Sequence, residues 1–119
     1  MKIYIIGAGG MLGHQVYQHF TSKGHIVKAT DIITNETWIE YQDIREYESL
    51  HYEVKKFSPD VIINLAALSD LEYCQTRYID AIETNATGSA HCATLASGHW
   101  RRGDRTWPRR PASVKSARA

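Results

Sequence analysis

The sequence predicts an α/β fold with a doubly wound, parallel sheet of about four strands, and three observations support that class. Strand-like and helix-like patterns alternate through most of the chain, which is typical of parallel strands joined by helices. A glycine-rich turn, residues 7–13 (G-A-G-G-M-L-G), directly follows the first apolar run. The second apolar run ends in an acidic residue, Asp31.

The first part of the chain contains three predicted strands and one helix. Residues 3–6 are apolar, and the first strand is predicted over residues 2–6. A helix begins near Met11, carries an apolar stripe and ends at Gly24, a residue suited to the turn that terminates a helix. The second strand runs through Thr30, and a weaker third strand occupies residues 38–42.

The next part predicts two more helices around a buried strand. An amphipathic helix covers residues 47–57 and is broken by the sequence S-P-D at 58–60. Residues 61–65 are β-branched with little alternation, as expected of a strand covered on both faces. A loop opens at Ala66. Residues 78–96 predict one long helix, in which a stripe of small and apolar residues would allow close packing: Ile79, Ile82, Ala86, Ala90 and Ala93.

The glycine-rich turn is suited to a nucleotide pyrophosphate. Of its glycines, Gly7 permits the tight turn, Gly10 lets the backbone approach phosphate, and Gly13 allows close packing of helix and strand. The helix that follows directs free N–H groups and the positive end of its dipole at the anion. Asp31 lies about 18 residues beyond Gly13, near the spacing of an acidic residue that binds an adenosine ribose. The sequence therefore predicts a dinucleotide site.

The positions of four residues strengthen this prediction. Ligands of doubly wound folds bind beyond the carboxyl ends of the strands. Residues at four such ends are Gly7, Asp31, Asp43 and Ala66. We therefore expect these residues to gather at one edge of the sheet.

Composition limits the other classes of function. At 119 residues the chain is long enough for one small domain. No apolar run approaches the roughly 18 residues of a membrane helix, and glycines interrupt the N-terminal run, so we expect neither a membrane partner nor a signal peptide. Cys74 and Cys92 offer no disulfide framework, which fits a cytoplasmic location. The six histidines have no ligand spacing, and we predict no metal site.

The charge distribution divides the chain in two. Residues 1–97 contain 7 Lys and Arg against 12 Asp and Glu, whereas residues 98–119 contain 7 against one. All twelve isoleucines precede residue 98, while six of the eight arginines follow it. We therefore predict a dinucleotide-binding half-domain over 1–97 and a basic, disordered C-terminal tail over 98–119. The abrupt change favours translation of the tail in a shifted reading frame, since basic tails usually also carry lysine and this one has only Lys115.

Several motifs resemble a known family. They are G-A-G-G-M-L-G, Asp31, the pair Asp43 and Ile44, the stretch P-D-V-I-I-N-L-A-A-L-S-D-L-E-Y-C at 59–74, and N-A-T-G at 85–88. The chain resembles extended short-chain dehydrogenases/reductases of the NAD-dependent epimerase/dehydratase superfamily, and among them the dTDP-4-dehydrorhamnose reductase branch. That branch reduces the C4 ketone of a nucleotide-linked sugar with NAD(P)H. The resemblance covers residues 1–97 and implies a Rossmann-type sheet.

The resemblance also implies roles for individual residues. Asp31 would bind the adenosine ribose and disfavour a 2′-phosphate, so NAD(H) is preferred and NADP(H) remains an alternative. Asp43 would accept from the adenine amino group while Ile44 packs on the ring; on residue type alone, Asp43 and Asn85 could equally be a turn residue and a solvated helix residue. The full set implied to bind cofactor is Gly7, Gly10, Met11, Leu12, Gly13, Asp31, Asp43, Ile44, Leu65, Ala66, Ala67 and Asn85.

The residues that perform the chemistry of this family are not identified in this chain. The family uses a tyrosine followed four residues later by a lysine, both after the fifth strand. The only such pair here is Tyr52 and Lys56, which precedes strand 61–65 on a helix that packs against the sheet, so we assign no catalytic residue. Whether the chain is an enzyme stays open, and a nucleotide-sugar substrate is expected only for a full-length protein.

Three alternatives remain at this point. The chain could derive from a nucleotide-sugar epimerase or dehydratase of the same superfamily, or it could be a non-catalytic NAD(P)-binding module. A basic tail with Trp100 and Trp107 could in principle bind nucleic acid, although the shifted reading frame explains its composition better.

Without a further strand, residues 61–65 would form an exposed sheet edge.

Overall fold

The computed structural model describes residues 1–67, 71–97 and 113–116. The predicted class is confirmed, because the chain forms an α/β, Rossmann-like sheet with helices on both faces. Its elements in order are β1 (Lys2–Ile6), α1 (Met11–Ser22), β2 (Ile26–Asp31), β3 (Ile39–Tyr41), α2 (Tyr47–Phe57), β4 (Val61–Asn64), α3 (Leu71–Thr76), α4 (Tyr78–Ile82), a π-helical turn (Glu83–Thr87), α5 (Gly88–Ser97) and β5 (Ser113–Ser116).

The described strands form one sheet in the order β3-β2-β1-β4-β5, and every pairing is parallel. The chain first builds outward from β1 through β2 to β3, and then returns to place β4 on the other side of β1. This reversal creates a topological switch point, where doubly wound folds bind ligands outside the carboxyl ends of the strands. The switch point lies between Ile6, the last residue of β1, and Asn64, the last residue of β4.

Apolar side chains cover both faces of the sheet. In β1, Ile3 and Ile5 belong to a cluster that includes partly buried side chains of α1, while Tyr4 and Ile6 belong to a cluster formed with α2 and α5. The alternation follows from the pleat, which sends successive side chains to opposite faces. All four side chains are buried. Burial on both faces explains why β1 is continuously apolar after Lys2.

Two expectations for the later part of the chain differ from the structure. The strand at 61–65 was expected to be a sheet edge, but β5 pairs in parallel with β4, with Val61 opposite Ser113 and Asn64 opposite Ser116. The tail thus contributes one strand that its composition did not predict. The rest of the tail, including Trp100 and Trp107, lies outside the described residues.

The predicted single helix over 78–96 is divided by the π-helical turn, and its buried side is not the expected stripe. Ile79 and Ile82 are 58% and 56% exposed. The residues of α5 that face the core are instead Gly88, Cys92, Leu95 and Ala96. A Cβ on Gly88 would come within 2.8 Å of Ile44, so this glycine permits the close approach of α5 to the loop after β3. Leu95 and Ala96 are apolar but out of phase with the predicted stripe, which began at Ile79 before the π-helical turn.

Candidate functional site

A pocket of about 430 Å³ opens at the carboxyl ends of β1, β2, β3 and β4, at the switch point of the sheet. Its volume falls within the roughly 300–1,000 Å³ typical of small-molecule sites. The pocket is lined by Ile6, Gly7, Gly10, Met11, Asp31, Ile32, Gln42, Asp43, Ile44, Arg45, Leu65, Ala66, Ala67 and Thr84.

Two glycines of the turn are required by close backbone contacts. Gly7 has a φ of 82°, and a Cβ there would overlap the backbone nitrogen of Ala66 and lie 2.6 Å from the carbonyl carbon of Leu65. Gly13 is buried, and a Cβ there would overlap the carbonyl oxygen of Ala8. The turn can therefore lie against the loop after β4, and α1 can begin close against the turn, only because these side chains are absent.

Gly10 has a different environment. A Cβ at this position would have no neighbour nearer than the Gly7 carbonyl oxygen, at 4.0 Å. Gly10 is also the residue that caps α1, and it supplies no side-chain acceptor for the first turn. The N–H groups of Met11 and Leu12, at the start of the helix, have no acceptor within it. Where Gly10 and Met11 line the pocket, there is thus both room for a ligand and backbone N–H groups that can donate to it.

Asp31 connects the end of β2 to the glycine-rich turn. Its Oδ2 accepts a hydrogen bond from the backbone N–H of Gly9 at 2.8 Å, and its Oδ1 accepts one from Ile33 at 3.2 Å. Just before it, the carbonyl oxygen of Thr30 accepts from the N–H groups of Gly7 and Ala8. These bonds fix the turn and place a carboxylate at the wall of the pocket.

Asp43 and Arg45 form a compact ion pair in the loop after β3. The guanidinium of Arg45 donates from Nη2 to Oδ2 of Asp43 at 2.7 Å and from Nε to Oδ1 at 3.0 Å, while the Arg45 backbone N–H donates to Oδ1 at 2.9 Å. The guanidinium holds the pKa of the Asp43 carboxyl below its usual value, because its hydrogen bonds outweigh the opposing effect of burial. The same contact raises the pKa of Arg45. Both side chains are therefore charged at neutral pH.

The end of β4 is fixed by the buried side chain of Asn64. Its Oδ1 accepts from the backbone N–H of Ala66 at 3.0 Å, and its Nδ2 donates to Oγ of Ser89 at 3.2 Å. Ser89 in turn donates to the carbonyl oxygen of Asn85 at 2.9 Å. Asn64 is thus hydrogen-bonded partly through the backbone, as expected for a structural residue. The bonds link the loop at 65–67 to the π-helical turn.

Ile44 marks the place where the loop after β3 meets α5. Its side chain is buried beside Gly88, and its carbonyl oxygen lies 2.9 Å from Nδ1 of His91. Ile44 lines the pocket together with Thr84 of the π-helical turn. The π-helical turn thus contributes the Thr84 side chain to the same end of the pocket as Ile44.

The structure brings together nine of the twelve residues implied by the resemblance. Of the other three, Leu12 is in the first turn of α1, Gly13 packs against Ala8, and Asn85 is exposed on the π-helical turn beside Thr84. Sequence reasoning missed five lining residues: Ile6, Ile32, Gln42, Arg45 and Thr84. All five adjoin a predicted residue in sequence, so including one neighbour on each side of every predicted residue would have identified them.

Other sequence-level candidates lie elsewhere. Tyr52 and Lys56 are exposed on α2 and do not line the pocket. Among the residues that the structure describes, no group of three or more His, Cys, Asp or Glu side chains could hold a metal ion. No helix in the described ranges is long and apolar enough to cross a membrane.

Comparisons with known proteins agree with this geometry. Residues 1–100 match the family model described as the RmlD substrate binding domain. A curated relative, dTDP-glucose 4,6-dehydratase of Escherichia coli, is 29% identical over 115 residues, covering 84% of this chain and 32% of the relative. The crystal structure of a dTDP-4-dehydrorhamnose reductase from Clostridium acetobutylicum has a TM-score of 0.68 and 28% identity, covering 83% of this chain and 32% of that one.

A third comparison concerns the fold alone. The enzyme WbmG of Bordetella bronchiseptica, solved in complex with NAD, has a TM-score of 0.70 at 21% identity, covering 82% of this chain and 34% of that one. This chain spans about a third of the length of the curated relatives it matches. The match therefore concerns the part of these proteins that corresponds to the sheet and the pocket.

Proposed function

We propose, because the chain belongs to the RmlD substrate binding domain family, that it binds a nicotinamide dinucleotide in the pocket at the switch point. The observation that carries the proposal is the glycine-rich turn, packed so closely on the loop after β4 that Gly7 tolerates no Cβ. A turn of this kind, followed by a helix with free first-turn amides, suits a pyrophosphate. The NAD complex of the structural neighbour WbmG supports the same cofactor class.

The residues present fit such a cofactor. Backbone amides around Gly10, Met11 and Leu12 would hold the pyrophosphate, and Gly13 would keep α1 close to the turn. Asp43 and Ile44 would bind the adenine, while the loop formed by Leu65, Ala66 and Ala67 would lie along the inner ribose and phosphates. Asn85 would flank the nicotinamide end from the π-helical turn.

We propose NAD(H) rather than NADP(H) as the preferred cofactor. The carboxylate of Asp31 lies at the pocket wall and is held by the N–H of Gly9 at 2.8 Å. Its remaining lone pairs can accept from ribose hydroxyls, whereas a 2′-phosphate would be repelled by its charge. Among the described residues that line the pocket, the other carboxylate is that of Asp43, which is paired with Arg45. The charge of Asp31 would therefore distinguish NAD(H) from NADP(H).

The reaction of the longer protein is proposed to act on a nucleotide-linked sugar. When bound, a nicotinamide dinucleotide supplies hydride transfer, which reduces the C4 ketone in the dTDP-4-dehydrorhamnose reductases. The matches to such a reductase at 28% identity and to a dehydratase at 29% support both chemistries. Dehydration of a nucleotide sugar is therefore the second candidate. The described residues of this chain would contribute cofactor binding, and we assign them no catalytic role.

Cofactor titration tests the proposal directly. NADH and NADPH are titrated separately into the protein while nicotinamide fluorescence is recorded. We expect saturable 1:1 binding with NADH the tighter ligand, and we expect Asp31→Asn to reduce that preference. Binding of neither ligand would contradict the site, while tighter binding of NADPH would contradict the role of Asp31 alone.

We also propose that residues 1–97 form the cofactor half and that residues 98–119 come from a shifted reading frame. The proposal rests on the change in composition at residue 98. Resequencing the coding DNA from codon 90 onward tests it. A shifted frame that continues into a strand and a Tyr-x-x-x-Lys motif would support the proposal, whereas a confirmed frame without such a continuation would refute it.

A further inference from the structure

The loop after β3 contains a charged contact that the proposed function does not require. Arg45 adjoins Ile44 and lines the pocket, yet its guanidinium is turned toward protein carboxylates. It makes three side-chain hydrogen bonds to Asp43, at 2.7, 3.0 and 3.1 Å. Its Nη1 donates a longer bond to Oδ1 of Asp80 at 3.3 Å.

These contacts join two elements that border the pocket. Asp43 follows β3, whereas Asp80 lies in α4, directly before the π-helical turn that supplies Thr84. Arg45 therefore bridges the two sides of one end of the pocket. A planar guanidinium can satisfy both carboxylates with fixed geometry, which a lysine ammonium cannot do.

The pairing also determines how Asp43 faces the pocket. The Asp43 side chain is only 8% exposed, and both of its oxygens accept from Arg45. Oδ1 already accepts from both the backbone N–H and Nε of Arg45, at 2.9 and 3.0 Å. Oδ2 accepts from Nη2 at 2.7 Å and only the longer branch of the shared Nε–H at 3.1 Å. Since a carboxylate has about four lone-pair positions, Oδ2 is the oxygen that can accept one more hydrogen bond. With its rotation blocked by the bidentate contact, the carboxylate presents that remaining position in one direction.

We propose that Arg45 is a positioning residue that selects an amino-bearing purine, because it orients the carboxylate of Asp43 toward the exocyclic amino group of adenine. This inference rests on the proposed function and adds a determinant of base specificity. Arg45 acts through Asp43 and through the bridge to Asp80. Its contribution depends on the base, since hypoxanthine carries an oxygen acceptor where adenine carries the amino donor.

The experiment compares NAD⁺ with nicotinamide hypoxanthine dinucleotide by titration calorimetry. The variants are Arg45→Met, which removes the charge, and Arg45→Lys, which retains it without the bidentate contact. The matched control is Arg77→Met, because Arg77 also approaches Asp80, at 4.0 Å, but is largely exposed and does not line the pocket. Urea unfolding and circular dichroism of each variant establish that it is folded.

We expect Arg45→Met to weaken NAD⁺ binding by about tenfold, the effect of losing one charged hydrogen bond, and to change binding of the hypoxanthine dinucleotide by no more than about twofold. Arg45→Lys should show an intermediate loss, and Arg77→Met should bind both ligands as the parent does. Equal losses for both dinucleotides, or no loss for either, would overturn the role of Arg45 while leaving the cofactor site intact. A parent protein that binds neither ligand would overturn the proposed function and this inference with it.

Discussion

Replacing Gly7 with alanine tests whether the glycine-rich turn is held against the loop after β4 as the structure shows. Gly7 has a φ of 82°, a conformation that costs an L-residue roughly 1–2 kcal/mol. The new Cβ would also overlap the backbone nitrogen of Ala66, an atom that cannot rotate away. Forcing extra volume into a packed site costs about 1–3 kcal/mol more. The expected loss is about 2–5 kcal/mol.

Gly24 provides the matched control. It has the same φ of 82°, but a Cβ there would meet no atom within 4 Å. Gly24→Ala should therefore incur only the conformational cost of roughly 1–2 kcal/mol. The difference between the two variants isolates the contact between the turn and the loop after β4.

Equilibrium unfolding in urea measures both losses. With a slope of about 2 kcal/mol per molar urea, a difference of 1–3 kcal/mol separates the two midpoints by about 0.5–1.5 M. Gly7→Ala should have the lower midpoint. Coincident midpoints for the two variants would refute the reasoning, because they would mean that the loop after β4 does not restrict the turn.

Three further predictions concern the pocket, the core and the sheet edge. Gly10→Ala should lose no more than about 1 kcal/mol of stability, because the new Cβ has space. It should still weaken NADH binding by at least about tenfold, because it places a methyl group at the pocket, and unchanged affinity in a fluorescence titration would contradict this. Burial raises the pKa of Cys92 to about 12, so its thiol should react with a disulfide reagent, followed by absorbance, only when the protein unfolds. Rapid labelling of Cys92 in the native protein, identified by mass spectrometry, would be inconsistent with its burial. Removing residues 98–119 deletes β5 and uncovers the edge of β4, so light scattering at constant concentration should rise faster than for the full chain; equal rates would show that β5 does not protect that edge.

Much of the fold could be predicted because its signals are local. The run at 2–6 and the amphipathic pattern at 47–57 coincide with β1 and α2, since apolar periodicity and breakers such as Pro59 act within a few residues. The π-helical turn at 83–87 has no comparable local signal. The pairing of Ser113–Ser116 with β4 could not be predicted either. Backbone groups at the free edge of β4 provide this pairing, and the sequence S-V-K-S carries no strong strand signal of its own.

The site was predictable to a similar extent. Gly7, Asp31 and Ala66 fall at strand ends, and parallel strands place all their carboxyl ends at one edge of the sheet. The sequence could not show that Arg45 turns toward Asp43 and Asp80. That contact depends on α4 lying beside the loop after β3, and residues 35 positions apart meet only in the folded chain.

Amide chemical shifts provide the most direct test of the central claim that the pocket binds a dinucleotide. Two-dimensional ¹H–¹⁵N spectra of the labelled protein are recorded as NAD⁺ is added. We predict saturable shifts concentrated on the glycine-rich turn at 7–13, on the strand ends at Asp31 and Asp43, and on the loop at 65–67. Spectra that do not change, or shifts confined to other parts of the chain, would contradict the account.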